Sequence, residues 1–336
     1  MCLLDTPISR DYASFMNMTT NERQQWLRER KGGLGGTDIA SIVCASASSE
    51  MKNGSFGKSP FALWSNKMRL EIEEQSDNPV MKRGRIMEKY VSELYAESNP
   101  NVEVKECGLV WHPERPHIFG TPDRIVTDSR NQTWGLEIKT RRSSRGWGEG
   151  GTGLVPLDVE VQCRVYMEVS DLDRWDVAVL IGLDDYREYR IDRDKELGTQ
   201  ILDTALAWWG KHVDGNVPPP PDGSDLAKAA LALMHPRPKA ESLRPATGNE
   251  IGMHERLLEV RRLHKELSSE KSTIENRLRA AIGDGAGIDK IATWKKNKDS
   301  QRFDQKKFQK DHPELYESYL SVRVGARVLR IIGDKS

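Results

Sequence analysis

Residues 119–140, FGTPDRIVTDSRNQTWGLEIKT, hold the pattern on which the fold turns. HIFG, ending at Gly120, is strand-like, Thr121-Pro122-Asp123 is turn-like and RIVT resumes a strand, after which DSRNQ closes a hairpin into WGLEIKT. A strand's period of two places Trp134, Leu136 and Ile138 on one face and Gly135, Glu137 and Lys139 on the other. The hairpin returns Asp123 beside Glu137, so two carboxylates and an ammonium are expected in one small patch. Hard divalent cations take carboxylate oxygens, water and phosphate oxygens, and a pair of them about 3.5–4 Å apart clamps the attacking and leaving oxygens of an in-line displacement. A lysine alongside orients the attacking water and balances developing charge. Asp123 followed by Glu137-x-Lys139 therefore supplies the groups for metal-dependent phosphodiester hydrolysis. Glu-x-Lys alone reads more simply as a solvated strand face with an ion pair.

Three further segments bear on that choice. MKRGRIMEKYVSELYAE is helical, with Ile86, Tyr90, Val91, Leu94 and Tyr95 expected on the core face and Glu88 on another side, either as a further carboxylate or as an exposed glutamate. LDVEVQCRVYMEV is a helix with Val159, Cys163, Tyr166 and Val169 inward, and Gln162 adjoining the apolar side either holds a metal-bound ligand or is a plain surface amide. In RERKGGLGGTDIASI, Arg28, Arg30 and Lys31 precede a glycine turn and a helix expected to be capped by Thr37, which makes a phosphate-binding corner. Gly146-Trp147-Gly148-Glu149-Gly150-Gly151 fits the dinucleotide spacing but opens no helix, and it reads better as a flexible basic loop with Arg141, Arg142, Arg145 and Trp147 available to DNA. His112 and His117 read as loop packing beside Pro113 and Pro116 before they read as metal ligands.

Lys plus Arg and Asp plus Glu balance at 51 each, so phosphate contacts must come from local patches. Cys2, Cys44, Cys107 and Cys163 are too scattered for a disulfide framework or a CxxC metal site and are expected as small buried groups. No apolar run approaches the ~18 residues of a spanning helix, and the N-terminus lacks the order of a signal peptide, so no membrane association and a cytoplasmic location are expected. The proline run at Val217–Pro221 is a break that neither helix nor strand interior tolerates. The expected division is a core over residues 1–217, a proline-rich linker over 218–248 carrying one short helix, and an accessory domain over 249–336. In that last part Met253, Leu257, Val260, His264, Leu267, Lys271, Ile274, Leu278 and Ala281 recur at spacings of four and three, which predicts one long helix in a hairpin or coiled-coil arm. The tail beyond reads as strands around a short helix, and its Lys295, Lys296, Lys298, Arg302, Lys306 and Lys307 as a charged solvated face.

Taken in order, GGTDIASI, KSPFALWSNK, RGRIME, FGTPD, LEIKT, VPLDVEVQCRVYMEV and DVAVLIG resemble the successive blocks of the YqaJ-like viral recombinase family, to which lambda exonuclease is related, within the PD-(D/E)xK nuclease superfamily. The resemblance spans about residues 30–215. It implies an α/β (α+β) restriction-endonuclease-like core, a mixed central sheet flanked by helices. It also implies a two-metal, Mg²⁺-dependent exonuclease, with Mn²⁺ able to substitute, that digests linear double-stranded DNA from the 5′ end and makes single strands for phage recombination. By the same resemblance Asp123, Glu137 and the Ile138 carbonyl are metal ligands, Lys139 handles the attacking water, Glu88 supports the metal site and Gln162 completes the pocket. Arg30, Thr37 and Thr121 fall near the terminal 5′ phosphate. A single-strand annealing protein and a homo-oligomeric ring are the implied partners. The sequence departs from the family at Arg124, where glycine is usual, at Arg164, where a second glutamine or histidine is frequent, and at Val159, where lambda exonuclease carries tyrosine. The rival expectations are a RecB-like endonuclease or repair nuclease and an inactive DNA-binding accessory protein.

Overall fold

The computed structural model describes residues 28–47, 59–68, 79–238, 243–322, 325 and 327–333; Cys2 and part of the KSPFALWSNK block lie outside them. The chain divides into two compact units, residues 1–234 and 235–336. The first runs β1 (Leu34–Gly35), α1 (Gly36–Ser46), α2 (Pro60–Met68), α3 (Pro79–Ser98), β2 (Val102–Glu106), β3 (Val110–Trp111), β4 (Ile118–Gly120), β5 (Arg124–Asp128), β6 (Thr133–Arg141), α4 (Leu157–Ser170), β7 (Arg174–Ile181), β8 (Asp185–Asp192), α5 (Lys195–Trp209) and α6 (Asp225–Met234).

Among the described residues the main sheet has the order β2-β5-β6-β7-β8. The β2/β5, β5/β6 and β7/β8 pairs are antiparallel and β6/β7 is parallel. The hairpin between β5 and β6 closes as its residues dictate: Asp128 Oδ1 accepts from the Arg130 and Gln132 amides at 2.9 and 2.8 Å, and Asn131 takes the left-handed φ of 60°. The parallel step needs a crossover, and α4 supplies it. The mixed sheet flanked by helices is the architecture the resemblance implies.

Strand β6 is covered on both faces. Trp134, Leu136 and Ile138 pack with Val91 and Tyr95 of α3, Val126, Ala178 and Leu180. On the other face, Gly135 pairs with Trp175, whose ring would lie 2.3 Å from any Cβ added there, so only glycine fits. The same alternation runs through β7, where Trp175, Val177, Val179 and Ile181 join the α4 core and Ala178 and Leu180 the α3 core. Between α3 and the sheet, the buried Asp176 is fully engaged. It receives the Tyr95 hydroxyl at 2.5 Å and both arms of Arg174, whose guanidinium lies 4.1 Å over the Trp134 ring. That carboxylate is thus structural.

A smaller sheet, β1-β4-β3, lies where β1 runs parallel to β4 and the Leu34 amide donates to the His117 carbonyl at 2.7 Å. The first unit extends past the proline run. Ala227 and Ala230 of α6 are buried in the core that holds Phe61 and Trp64 of α2, and the Ser59 hydroxyl bonds Asp222. Helix α6, which the sequence places in a linker, therefore belongs to the first unit.

The second unit holds α7 (Gly248–Ile282), β9 (Gly287–Ile288), β10 (Ala292–Thr293), α8 (Gln305–Asp311) and α9 (Pro313–Ser318). Thr247 caps α7 by accepting from the Glu250 amide at 3.4 Å, while Glu250 accepts from the Thr247 amide at 2.8 Å. The long helix is as the spacing predicts, and no residue along it is buried. The tail differs from expectation: among the described residues, 327–333 form no strand, and the pairing seen is that of β9 with β10. No helix among the described residues is long and apolar enough to cross a membrane.

Candidate active site

The loop Thr121–Asp123 between β4 and β5 delivers Asp123 against β6, where its Oδ2 accepts the Ile138 amide at 2.8 Å. Glu137, 1% exposed, comes from the neighbouring position on β6, close enough for the Asp123 charge to act on it. Lys139, two residues on and on the same face, pairs with Glu137 and donates to Gln162 Oε1 of α4 at 3.1 Å. Gln162 is thereby fixed as a buried polar group whose Nε2 donates to the Tyr166 hydroxyl at 2.8 Å. The alternation read in WGLEIKT and the hairpin before it thus bring Asp123, Glu137, Lys139 and Gln162 together.

Glu88 joins them by a route the sequence misplaces. The α3 stripe that meets the sheet is Glu88, Val91 and Tyr95, with Val91 and Tyr95 fully buried, while Ile86 and Tyr90 are 61% and 48% exposed. Apolar residues occur on both sides of this helix, so composition does not fix its rotation; packing beneath Trp134 and Leu136 does. Glu88 Oε1 accepts from Arg124 Nη1 at 2.9 Å, and the same nitrogen donates to the Asp123 carbonyl at 2.6 Å. Arg124 is a residue whose place in the site sequence reasoning missed.

Burial is the largest influence on all three carboxylates and raises each of them. Glu137 is pushed up to about 8 and Glu88 to about 7, the Asp123 charge adding to both, and Asp123 itself is raised against the pull of Lys139. For Lys139 burial acts downward, but the Glu137 and Asp123 carboxylates outweigh it, so the ammonium stays charged. One oxygen, Glu137 Oε2, is buried with no hydrogen-bond partner. A buried carboxylate oxygen with an open lone pair, among carboxylates that burial and mutual repulsion hold high, is the setting a divalent cation relieves. Among the described residues no three His, Cys, Asp or Glu side chains form a ready cage; Asp123 and Glu137 are a pair. His117 stacks on Trp209 at 4.6 Å with Nδ1 2.9 Å from the Gly32 carbonyl, and His112 Nδ1 accepts the Glu114 amide, so both pack the loop as expected.

The phosphate-facing candidates divide. The start of α1 is next to the site, since a Cβ on Gly36 would sit 2.8 Å from Tyr166 and 3.1 Å from Gln162. Thr37 is exposed in the first turn and is not the cap; Gly35 holds that place, and Asp38 Oδ2 accepts its amide at 3.3 Å. Arg30 lies over the Phe119 ring at 5.3 Å. Arg142 and Arg145 are exposed, while Arg141 is partly buried with its guanidinium 6.0 Å from the Trp147 ring. Trp147 is only 7% exposed and packs on Tyr189, so it offers no stacking face to DNA. Its loop is anchored: the Gly148 carbonyl accepts from Arg187 at 2.8 Å and Tyr189 at 2.7 Å, and the Gly151 amide donates to Glu188. Arg164, one of the departures noted above, pairs with Glu160 one turn back.

Residues 25–173 match the model of the YqaJ-like viral recombinase domain, a span that includes Glu88, Asp123, Glu137, Lys139 and Gln162 and ends before β7. Over 301 residues, 88% of this chain and 90% of its relative, the sequence is 28% identical to the uncharacterized protein YqaJ of Bacillus subtilis (strain 168). Among solved structures, the chain is similar to an alkaline exonuclease, LHK-Exo, from Laribacter hongkongensis, with 18% identity, coverage of 63% of this chain and 96% of that one, and a TM-score of 0.41. It is also similar to a phage-related exonuclease from Haemophilus somnus 129PT, with 12% identity, 55% and 96% coverage, and a TM-score of 0.36.

Proposed function

From the match of residues 25–173 to the YqaJ-like viral recombinase domain, we propose that the protein is a metal-dependent deoxyribonuclease that digests one strand of linear double-stranded DNA from its 5′ end, supplying single strands to an annealing protein in phage-type recombination. The observation that carries this reading is the meeting of Asp123, Glu137 and Lys139 in one buried patch around an unpartnered Glu137 oxygen.

Asp123 and Glu137, with the Ile138 carbonyl, are the groups that would hold Mg²⁺, or Mn²⁺ in its place, through the all-oxygen ligation such ions prefer. A cation held there would supply polarisation of the scissile phosphate and a lowered pKa for the attacking water. The remaining work belongs to the side chains. Lys139, oriented by Glu137 and Gln162, directs the water and offsets charge on the phosphate as it develops. Gln162 is in turn held by Tyr166, so the lysine's direction is set through Glu137, Gln162 and Tyr166. The first turn of α1, with Thr37, Thr121 and Arg30, receives the terminal phosphate, and Arg141, Arg142 and Arg145 follow the strand away from the cut.

Purified protein with Mg²⁺ should convert linear duplex to single strands, release a 5′-terminal label early and a 3′-terminal label late, and leave a covalently closed circle intact. Cleavage of the circle would replace this reading with the endonuclease one, and binding without cleavage would leave the accessory-protein reading.

A further inference from the structure

Arg124, at the start of β5, is 6% exposed and cannot reach bound DNA with its guanidinium. Its close partners are Glu88 Oε1 at 2.9 Å and the Asp123 carbonyl at 2.6 Å, with the more exposed Glu106 Oε1 at 3.8 Å from its other terminal nitrogen. The buried cluster accordingly holds two built-in pairs, Lys139 with Glu137 and Arg124 with Glu88. What those pairs leave over is the Asp123 carboxylate and the second oxygen of Glu137.

Resting on the cation site proposed above, we infer that Arg124 takes the place of a second cation, so that the DNA-free protein binds one divalent ion, on Asp123 and Glu137, where the carboxylate pattern alone points to a two-ion clamp. With all of them ionised, as a bound cation would hold them, the three buried carboxylates and two side-chain cations carry a net charge of minus one, which one dication overcompensates only slightly; Glu106 stands outside this count at the exposed rim. A second dication would leave a buried patch strongly positive before any phosphate arrives. For Glu88 to turn toward an ion it would have to abandon Arg124, and a guanidinium this deeply buried is strongly destabilised without its partner. The guanidinium also fixes Glu88 to the main chain of Asp123, so the ligand loop and α3 share one anchor.

Titration of the metal-free full-length chain with Mn²⁺, read as bound ions per chain by electron paramagnetic resonance, tests this. Wild type should hold one tightly bound Mn²⁺, Arg124→Lys one, Arg124→Gln two because Glu88 is released, and Asp123→Asn none, with circular dichroism confirming that each variant is folded. Two ions on the wild type overturn the inference whether or not any variant folds. A single ion on folded Arg124→Gln does the same, and in both cases the cation site itself survives. An ion count that Asp123→Asn leaves unchanged overturns the site and, with it, the nuclease reading.

Discussion

Glu137→Gln is expected to abolish DNA hydrolysis while making the metal-free protein more resistant to heat above pH 8. The variant keeps the shape of the side chain and removes the charge that would hold a cation at the unpartnered oxygen. With several kcal/mol of transition-state stabilisation coming from the cation, and about 1.4 kcal/mol per factor of ten, the loss of rate is on the order of 10³-fold or more. The stability effect has the opposite sign. Burial, with the Asp123 charge adding, raises Glu137 from 4.5 to about 8. A group raised on folding contributes stability that is complete below its unfolded value and is lost as the pH climbs through its folded one. Wild type without metal therefore weakens between about 4.5 and 8 on account of this residue, and the uncharged glutamine escapes that loss. Thermal melts of both chains in chelator from pH 5 to 9, beside a nuclease assay, check the two halves together. A Glu137→Gln variant that melts lower than wild type at high pH, or that retains activity, contradicts the assignment.

Lys139→Met is expected to lower the rate by roughly 10²–10⁴-fold, the span of a positioned proton-transfer or charge-stabilising group. The ammonium sits between Glu137 and Gln162, and Gln162 continues to Tyr166, so its position is set from two sides. Methionine keeps the length and apolar stem and removes only the donor. Lys139→Arg should not restore the rate, because a planar fork cannot occupy the place of a compact ammonium between those two oxygens. Steady-state rates on a short duplex at saturating Mg²⁺ decide this, and a variant within a few-fold of wild type would remove Lys139 from the chemistry.

What the residues disclosed in advance were features that depend on short-range period. Trp134, Leu136 and Ile138 against Gly135, Glu137 and Lys139 is a strand alternation, and the structure has it as read. The Asp128–Gln132 turn is closed by its own aspartate, and α4 and α7 follow from helical spacing. What stayed hidden depends on which surface an element meets. Glu88 looked outward because Ile86 and Tyr90 seemed to define the apolar face, yet Val91 and Tyr95 set the rotation of α3. Trp147 and its glycines read as a mobile DNA-touching loop, since nothing local announces that Arg187 and Tyr189, some forty residues on, hold Gly148. Helix α6 follows a proline run, and only its burial near α2 assigns it to the first unit. Arg124 read only as a departure from the family's usual glycine, and the approach of α3 is what shows that its partner is Glu88.

The most direct test of the account is the release of acid-soluble nucleotide from a linear duplex by the purified chain, with Mg²⁺ or with chelator, beside Asp123→Asn. The account predicts release by the wild type in Mg²⁺ alone and none by the variant. Intact DNA under every condition, or equal digestion in chelator or by Asp123→Asn, would contradict a cation held at Asp123 and Glu137 as the basis of activity.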